Sequence, residues 1–327
     1  MSITTVPPVE FPPQLRPIDR LVALIAWGLA IALFFKVGWR ALEPADPQGA
    51  VSMLTCRHPW PMVAQMAALG TVVAGLATLL IGRKLADAGA FATCLGLAVA
   101  NLRADTLGSI LISVADRGTG PGPNLAASFL VEALVWFGVV VLALVVSGLV
   151  FRWCFGRPPT SGVSALSAMA ATELPMISAL LRAEGDGRRV GERRTALWHL
   201  LFTAIVAFGL IGILATGSPA PPIEHGQVYF SITAAFCIAA YFAHGRFPVR
   251  TPLWSCLAVP LVSIAAYLWV TIVDSSKAAA LPASIPHSAY LRALPLEYVT
   301  LGTLGSILAF WWRRHTYVAA QFPQESR

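Results

Sequence analysis

Residues 125–151, LAASFLVEALVWFGVVVLALVVSGLVF, contain a single charged side chain, Glu132, in 27 positions. An α-helix needs about 20 apolar residues to cross a hydrocarbon core of about 30 Å. The stretch is continuously apolar, whereas a strand of a membrane barrel would alternate between apolar and polar residues. It therefore predicts a transmembrane α-helix.

The same pattern recurs along the 327-residue chain, which is 57% hydrophobic and only 12% charged. A soluble domain carries about 25% charged residues, so this composition indicates an integral membrane protein. We predict an all-α, polytopic transmembrane helix bundle with about eight spans, at residues 21–42, 62–82, 88–115, 125–151, 196–216, 227–244, 253–273 and 295–312.

The basic residues predict the orientation of this bundle. The loop after the fourth segment contains seven arginines between Arg152 and Arg194, and cytoplasmic loops retain such residues. If all eight segments cross, sixteen of the 23 lysines and arginines lie inside, six lie outside, and Arg103 lies in the membrane. This count favours a third segment that spans as one helix over two re-entrant pieces. Both termini are then cytoplasmic, and the predicted location is the cell membrane, taken as a bacterial cytoplasmic membrane.

The predicted spans form two four-helix halves that flank a cytoplasmic loop. The parts are a proline-rich tail at 1–20, the first half at 21–154, the loop at 155–195, the second half at 196–313 and a tail at 314–327.

The cytoplasmic loop has features of its own. Apolar residues recur at helical spacing from Leu166 to Leu181, which predicts an amphipathic helix on the inner leaflet or, equally, a cap packed on the helix ends. The stretch 185–194 predicts a flexible tether, and the basic loop 182–194 is expected to attract anionic lipid head groups. The net charge of +7 is thereby explained by orientation and lipid contact, so no nucleic-acid partner is predicted.

Four polar residues within the third and fourth segments form the candidate site: Asn101, Arg103, Asp105 and Glu132. An ionisable group at the centre of a membrane helix costs about 2.5–3.5 kcal/mol on insertion scales, so it needs a partner. A short glycine- and proline-rich loop joins the two segments, which predicts antiparallel neighbours and brings Arg103 within reach of Glu132. Asn101, Asp105 and Ser109 would share one helix face at a spacing of four residues.

Two interpretations of this cluster remain open. It is a relay for protons or ions, or a polar substrate site, or else it is a structural ion pair that fixes the register of two helices. Glu297 and Lys36 are weaker candidates, because they are expected near the outer interface, where long side chains snorkel towards water.

No catalytic residue, metal site or cofactor is predicted. The chain lacks P-loop, dinucleotide-binding, nucleophile-elbow and HExxH patterns, and none of its five cysteines lies in a CxxC motif. Of the six histidines, His199, His244 and His315 are expected near the inner face, without the paired spacing of a metal or haem site.

Three functions are compatible with this sequence. The first is a non-catalytic scaffold or accessory subunit of a membrane assembly, with other membrane subunits as partners. The second is a transporter or channel that uses the polar cluster on helices three and four. The third is a membrane-embedded enzyme acting on a lipid or quinone, which would need a lipid-sized cavity at one interface lined by polar side chains.

Overall fold

The computed structural model describes residues 17–46, 49–82, 85, 87–107, 109–110, 123–155, 187–215, 225–249, 251–273 and 289–321, and this part of the chain is helical without a strand. The helices are α1 Pro17–Leu42, α2 Pro59–Ile81, α3 Ala88–Asn101, α4 Pro123–Phe155, α5 Gly187–Leu214, α6 His225–Arg246, α7 Leu253–Val273 and α8 Pro295–Gln321, with a π-helical turn at Phe34–Gly38 in α1 and a 3₁₀ turn at Ala289–Arg292.

Six of these helices, α1, α2, α4, α5, α6 and α7, are long and apolar enough to cross a membrane. Large apolar side chains on their outer faces are exposed, such as Leu24 on α1 and Ile205 on α5. Lipid solvates such a surface, whereas water does not. The chain is therefore a membrane-embedded helical protein with six candidate spans among the described residues. Helices α3 and α8 are not among these candidates.

The third predicted segment is not one continuous helix over 88–115. Helix α3 has 14 residues, a rise of about 21 Å, which is shorter than the hydrocarbon core of about 30 Å. After Asn101 the chain turns, and the Asp105 N–H donates to the carbonyl of Gly49 at 3.3 Å. The prediction failed because the polar side chains after Asn101 find partners outside a helix.

Helix α8 lies at the centre of the bundle, in contact with α3, α4, α6 and α7. Its closest approach is to α6, where a Cβ atom on Gly305 would clash with the carbonyl of Thr233. Small residues permit such backbone proximity between membrane helices. Because α8 touches both halves, its polar residues Glu297, Thr300, Thr303 and Ser306 are shielded from lipid.

Two predictions about the cytoplasmic loop have different outcomes. The amphipathic helix predicted around Leu166–Leu181 lies outside the described residues. The stretch from Arg188 to Arg194 forms the first turns of α5, so most of the predicted flexible tether is helical instead. Helix α8 likewise continues to Gln321, into the predicted C-terminal tail.

The orientation predicts which cysteines are accessible from outside the cell. Cys56 is partly exposed on the α1–α2 loop, whereas Cys154 is exposed at the far end of α4. A membrane-impermeant maleimide should label Cys56 in intact cells and Cys154 only after permeabilisation, as read from labelled peptides by mass spectrometry. Buried Cys94 and Cys256 serve as unlabelled controls. Labelling of a cysteine introduced at Gly187 in intact cells would contradict the orientation.

Candidate functional site

Glu132 on α4 is a fully buried carboxylate held by three donors. Ser52 Oγ donates to Oε2 at 2.6 Å, and Trp136 Nε1 donates to Oε1 at 3.1 Å. The backbone N–H of Met53 is the third donor. Hydrogen bonds of this kind compensate a buried carboxyl group for lost hydration. Glu132 thus fastens the loop between α1 and α2 to the packed side of α4.

The same loop dips into the bundle and meets the chain after α3. Ala50 and Ser52 are buried, and the Ala50 N–H donates to Ser109 Oγ at 2.9 Å. Asp105 is exposed, and its Oδ1 accepts from the N–H of Thr106 at 2.7 Å. Asn101, Asp105 and Ser109 therefore do not form the predicted stripe on one helix face.

Arg103 pairs with α1 instead of Glu132. Its Nη1 donates to the carbonyl of Phe35 at 3.0 Å, and its guanidinium lies 4.7 Å from the Phe35 ring centroid and 4.6 Å from that of Trp39. Phe35 belongs to the π-helical turn of α1, and π turns leave a backbone carbonyl open to an outside donor. The predicted ion pair between Arg103 and Glu132 is therefore wrong.

Of the four predicted residues, Asn101 alone lies in a second buried cluster, which we call the Glu297 cluster. It contains Asn101 at the end of α3, His225 and Tyr229 on α6, and Glu297 on α8. Asn101 Nδ2 donates to Glu297 Oε1 at 3.2 Å and to the Tyr229 hydroxyl at 3.3 Å. That hydroxyl donates to the carbonyl of Ala98 at 2.8 Å.

The start of α8 explains why Glu297 is held there. Pro295 is the first residue of the helix and Glu297 the third, and the N–H of Leu294 donates to Glu297 Oε2 at 2.8 Å. This is the carboxylate half of a capping box, favoured by the positive end of the helix dipole. The prediction that Glu297 snorkels to the interface is wrong, since its side chain is 2% exposed.

His225 joins this buried carboxylate to the protein surface. Its Nδ1 lies 3.2 Å from Glu297 Oε1, and its side chain is 18% exposed. Its Nε2 lies 2.9 Å from the carbonyl of Ala104, and because a carbonyl only accepts, Nε2 carries a hydrogen. One further proton then lies between Nδ1 and Oε1, on either the imidazole or the carboxyl group.

Below Glu297, buried hydroxyl groups wind around α8 towards the opposite side of the membrane, because a spacing of three residues turns each successive side chain by about 60°. They recur every third residue, at Thr300, Thr303 and Ser306. Ser306 Oγ donates to the carbonyl of Ser255 at 3.3 Å. The column from Glu297 to Ser306 is about 14 Å long at 1.5 Å per residue.

A pair of histidines lies at the end of this column that is farther from Glu297. His199 Nδ1 donates to the carbonyl of Phe247 at 2.9 Å, so its Nε2 accepts from Ser255 Oγ at 2.7 Å. The ring centroid of His244 lies 4.5 Å from that of His199, and His244 Nε2 is buried without a partner among the described residues. Within the part of the chain that the structure describes, no group of three His, Cys, Asp or Glu residues could hold a metal ion.

The sequence analysis named Asn101, and Glu297 as a weaker candidate, but it did not predict that they lie together with His225 and Tyr229. The partners of Glu297 lie 72 residues away at His225 and 196 residues away at Asn101, so no local spacing reveals them. A usable signal was the Pro295-Leu296-Glu297 run at the start of an apolar segment, which is typical of a helix N-terminus.

Comparisons with known proteins found no family model, no curated protein and no solved structure that matches this chain.

The three donors around Glu132 predict the effect of removing one of them. Ser52→Ala should lower the free energy of unfolding by about 1–3 kcal/mol, because the carboxylate loses a buried hydrogen bond. Thr71→Ala is the control, since the Thr71 hydroxyl is exposed and bonds only within its own helix. Thermal unfolding of the detergent-solubilised variants measures the difference. Equal midpoints for the two variants would show that Ser52 does not hold the loop.

Proposed function

We propose that this multi-pass membrane protein is a transporter that moves protons, with His225 and Glu297 as the groups that accept them on the side of the α1–α2 loop. The observation that carries the proposal is the 3.2 Å contact between His225 Nδ1 and Glu297 Oε1. It joins a side chain that is 18% exposed to one that is 2% exposed, so a proton can pass from solvent to a buried group in one step.

The hydroxyl column on α8 supplies a route inward from Glu297. Successive members Thr300, Thr303 and Ser306 are three residues apart, a rise of about 4.5 Å, which one bridging water molecule can span. Thr300 Oγ1 donates to the carbonyl of Leu296 at 2.7 Å, so in the proposed route it exchanges this bond for one to water. Asn101 Oδ1 beside Glu297 is buried without a partner among the described residues. Unsatisfied polar atoms in a membrane bundle favour hydration of the route.

The inner histidine pair supplies an acceptor at the end of the route. Ser306 Oγ donates to the backbone carbonyl of Ser255, and Ser255 Oγ donates to His199 Nε2, the ring nitrogen that carries a lone pair. Because a carbonyl cannot pass a proton on, a water molecule joins the two serine hydroxyls in the proposed route. His244 lies beside His199, and the guanidinium of Arg313 lies near the same end of α8 and α6. A proton that reaches His199 is thus close to the inner ends of the helices.

The proposed site lies on α3, α6 and α8, whereas the sequence predicts a site on helices three and four. We prefer the transporter to the scaffold or accessory subunit, because a scaffold has no need of a buried acid that shares a proton with a partly exposed histidine. The scaffold hypothesis instead predicts stable co-purification with other membrane subunits in mild detergent.

A membrane-embedded enzyme acting on a lipid is the second candidate. It is favoured by a cavity of about 460 Å³ where α1 ends and α2 begins, with Arg40, Glu43 and Arg57 among its lining residues. Such a cavity at one interface is what this hypothesis required.

For the setting of the protein, we propose the cell membrane, taken as a bacterial cytoplasmic membrane, with both termini in the cytoplasm. The basic residues of the 182–194 stretch would then face the anionic lipid heads of the inner leaflet.

Proton flux into proteoliposomes tests the transporter directly. With a pH-sensitive dye inside and an inward-directed membrane potential, we expect an external acid pulse to acidify the lumen at least tenfold faster with the protein than without it. Glu297→Gln should remove this flux, because the amide cannot take up a proton. Glutamine still accepts the Leu294 N–H, so the helix start is retained.

Two further variants sharpen this test. Thr303→Val should slow the flux, since it removes a hydroxyl from the middle of the column at nearly constant volume. Thr71→Val is the matched control and should leave the flux unchanged, because the Thr71 hydroxyl is exposed and bonds only within its own helix. Wild-type flux in Glu297→Gln would refute the transporter proposal.

A further inference from the structure

A cleft of about 460 Å³ opens between the end of α1 and the start of α2, at the opposite end of the first two spans from the N-terminus. Its volume falls within the range of about 300–1,000 Å³ that is usual for ligand sites. The floor is apolar and includes buried Met62 and Pro44. The rim is polar and exposed, and consists of Arg40, Glu43, Arg57, His58 and Gln65.

We propose that this cleft binds the zwitterionic head group of a phospholipid, a phosphate ester that carries a primary ammonium group. The two guanidinium groups of Arg40 and Arg57 provide planar donors that match phosphate oxygens. The carboxylate of Glu43 provides an acceptor for the ammonium group. The rim therefore offers both signs of charge within one cleft.

The charged rim is free to bind such a ligand. Among the described residues, the side chains of Arg40, Glu43 and Arg57 make no hydrogen bond or ion pair. In the predicted orientation, Arg40 and Arg57 are two of only six basic residues on the outer side. An anion that binds in the cleft would explain why two of these six basic residues line it.

The start of α2 offers few backbone donors, so a phosphate in the cleft has to be bound by side chains. A helix N-terminus usually binds anions through its free N–H groups. Here α2 begins Pro59-Trp60-Pro61, and proline has no N–H, so two of the first three donors are missing. His58 precedes the helix without a side-chain capping bond. Anion binding therefore depends on Arg40 and Arg57.

The surroundings of the cleft favour a lipid over a soluble zwitterion. Val37, Leu54 and Trp60 lie close to the rim residues in sequence and are each at least half exposed. Exposed tryptophan and aliphatic side chains at the end of a span are typical of the membrane interface, where lipid head groups lie. The apolar floor can then contact the glycerol end of the lipid.

Binding of short-chain lipids to the full-length protein in detergent tests this site. Native mass spectrometry should detect short-chain phosphatidylethanolamine bound at least tenfold more tightly than phosphatidylcholine, whose quaternary ammonium cannot donate to Glu43. The double variant Arg40→Gln/Arg57→Gln should weaken both phosphatidylethanolamine and phosphatidylglycerol at least tenfold. Glu43→Gln should weaken phosphatidylethanolamine alone, because phosphatidylglycerol has no ammonium group.

Lys36→Gln is the matched control, since Lys36 is an exposed basic residue on α1 that does not line the cleft. It should leave all affinities unchanged. Unchanged phosphatidylethanolamine affinity in the double arginine variant, or equal affinity for phosphatidylcholine, would overturn the site. Free phosphoethanolamine that competes with an affinity equal to that of the lipid would overturn the assignment to a membrane lipid.

Discussion

A carboxylate buried in a membrane bundle must be surrounded by donors, and Glu297 meets this requirement by drawing three helices together. Leu294 supplies a backbone donor from the start of α8, Asn101 an amide from the end of α3, and His225 an imidazole from the start of α6. Removing any of these partners would leave charge or polar atoms unsatisfied at low dielectric, which costs more than the bond itself gains. The central position of α8 follows from this demand as well as from its small residues.

The same demand explains why α3 is short. Asn101 turns its amide towards Glu297 and Tyr229, while the carbonyl of Ala104 accepts from His225. The backbone after Asn101 is therefore used for contacts between helices instead of continuing the helical ladder. The loop between α1 and α2 fills the space beside this turn, and Glu132 holds that loop through Ser52. Polar side chains thus determine where α3 ends, whereas apolar side chains determine which stretches of the chain form membrane helices.

The positions of the helices could therefore be predicted from the sequence, whereas the partners of the buried polar side chains could not. Hydropathy depends on local composition, so the apolar run around Glu132 and the other runs, apart from the second part of 88–115, predict helices at positions where the structure has them. Partners far apart in the chain leave no local pattern, and for this reason the sequence predicts a pair of Arg103 with Glu132 and an interfacial Glu297. Burial of Glu297 depends on His225 and Asn101, which only the packed bundle brings to it.

In the proposed transporter, His225 and Glu297 share one proton that can be lost and regained. Nitrogen-15 NMR of histidine-labelled protein in bilayers, with His225→Gln to assign the signal, measures the state of each ring nitrogen as the pH is changed. We expect Nδ1 to switch between a protonated and an unprotonated form while Nε2 stays protonated against the carbonyl of Ala104. If both nitrogens of the ring keep the same state at every pH at which the protein is folded, His225 and Glu297 do not exchange a proton.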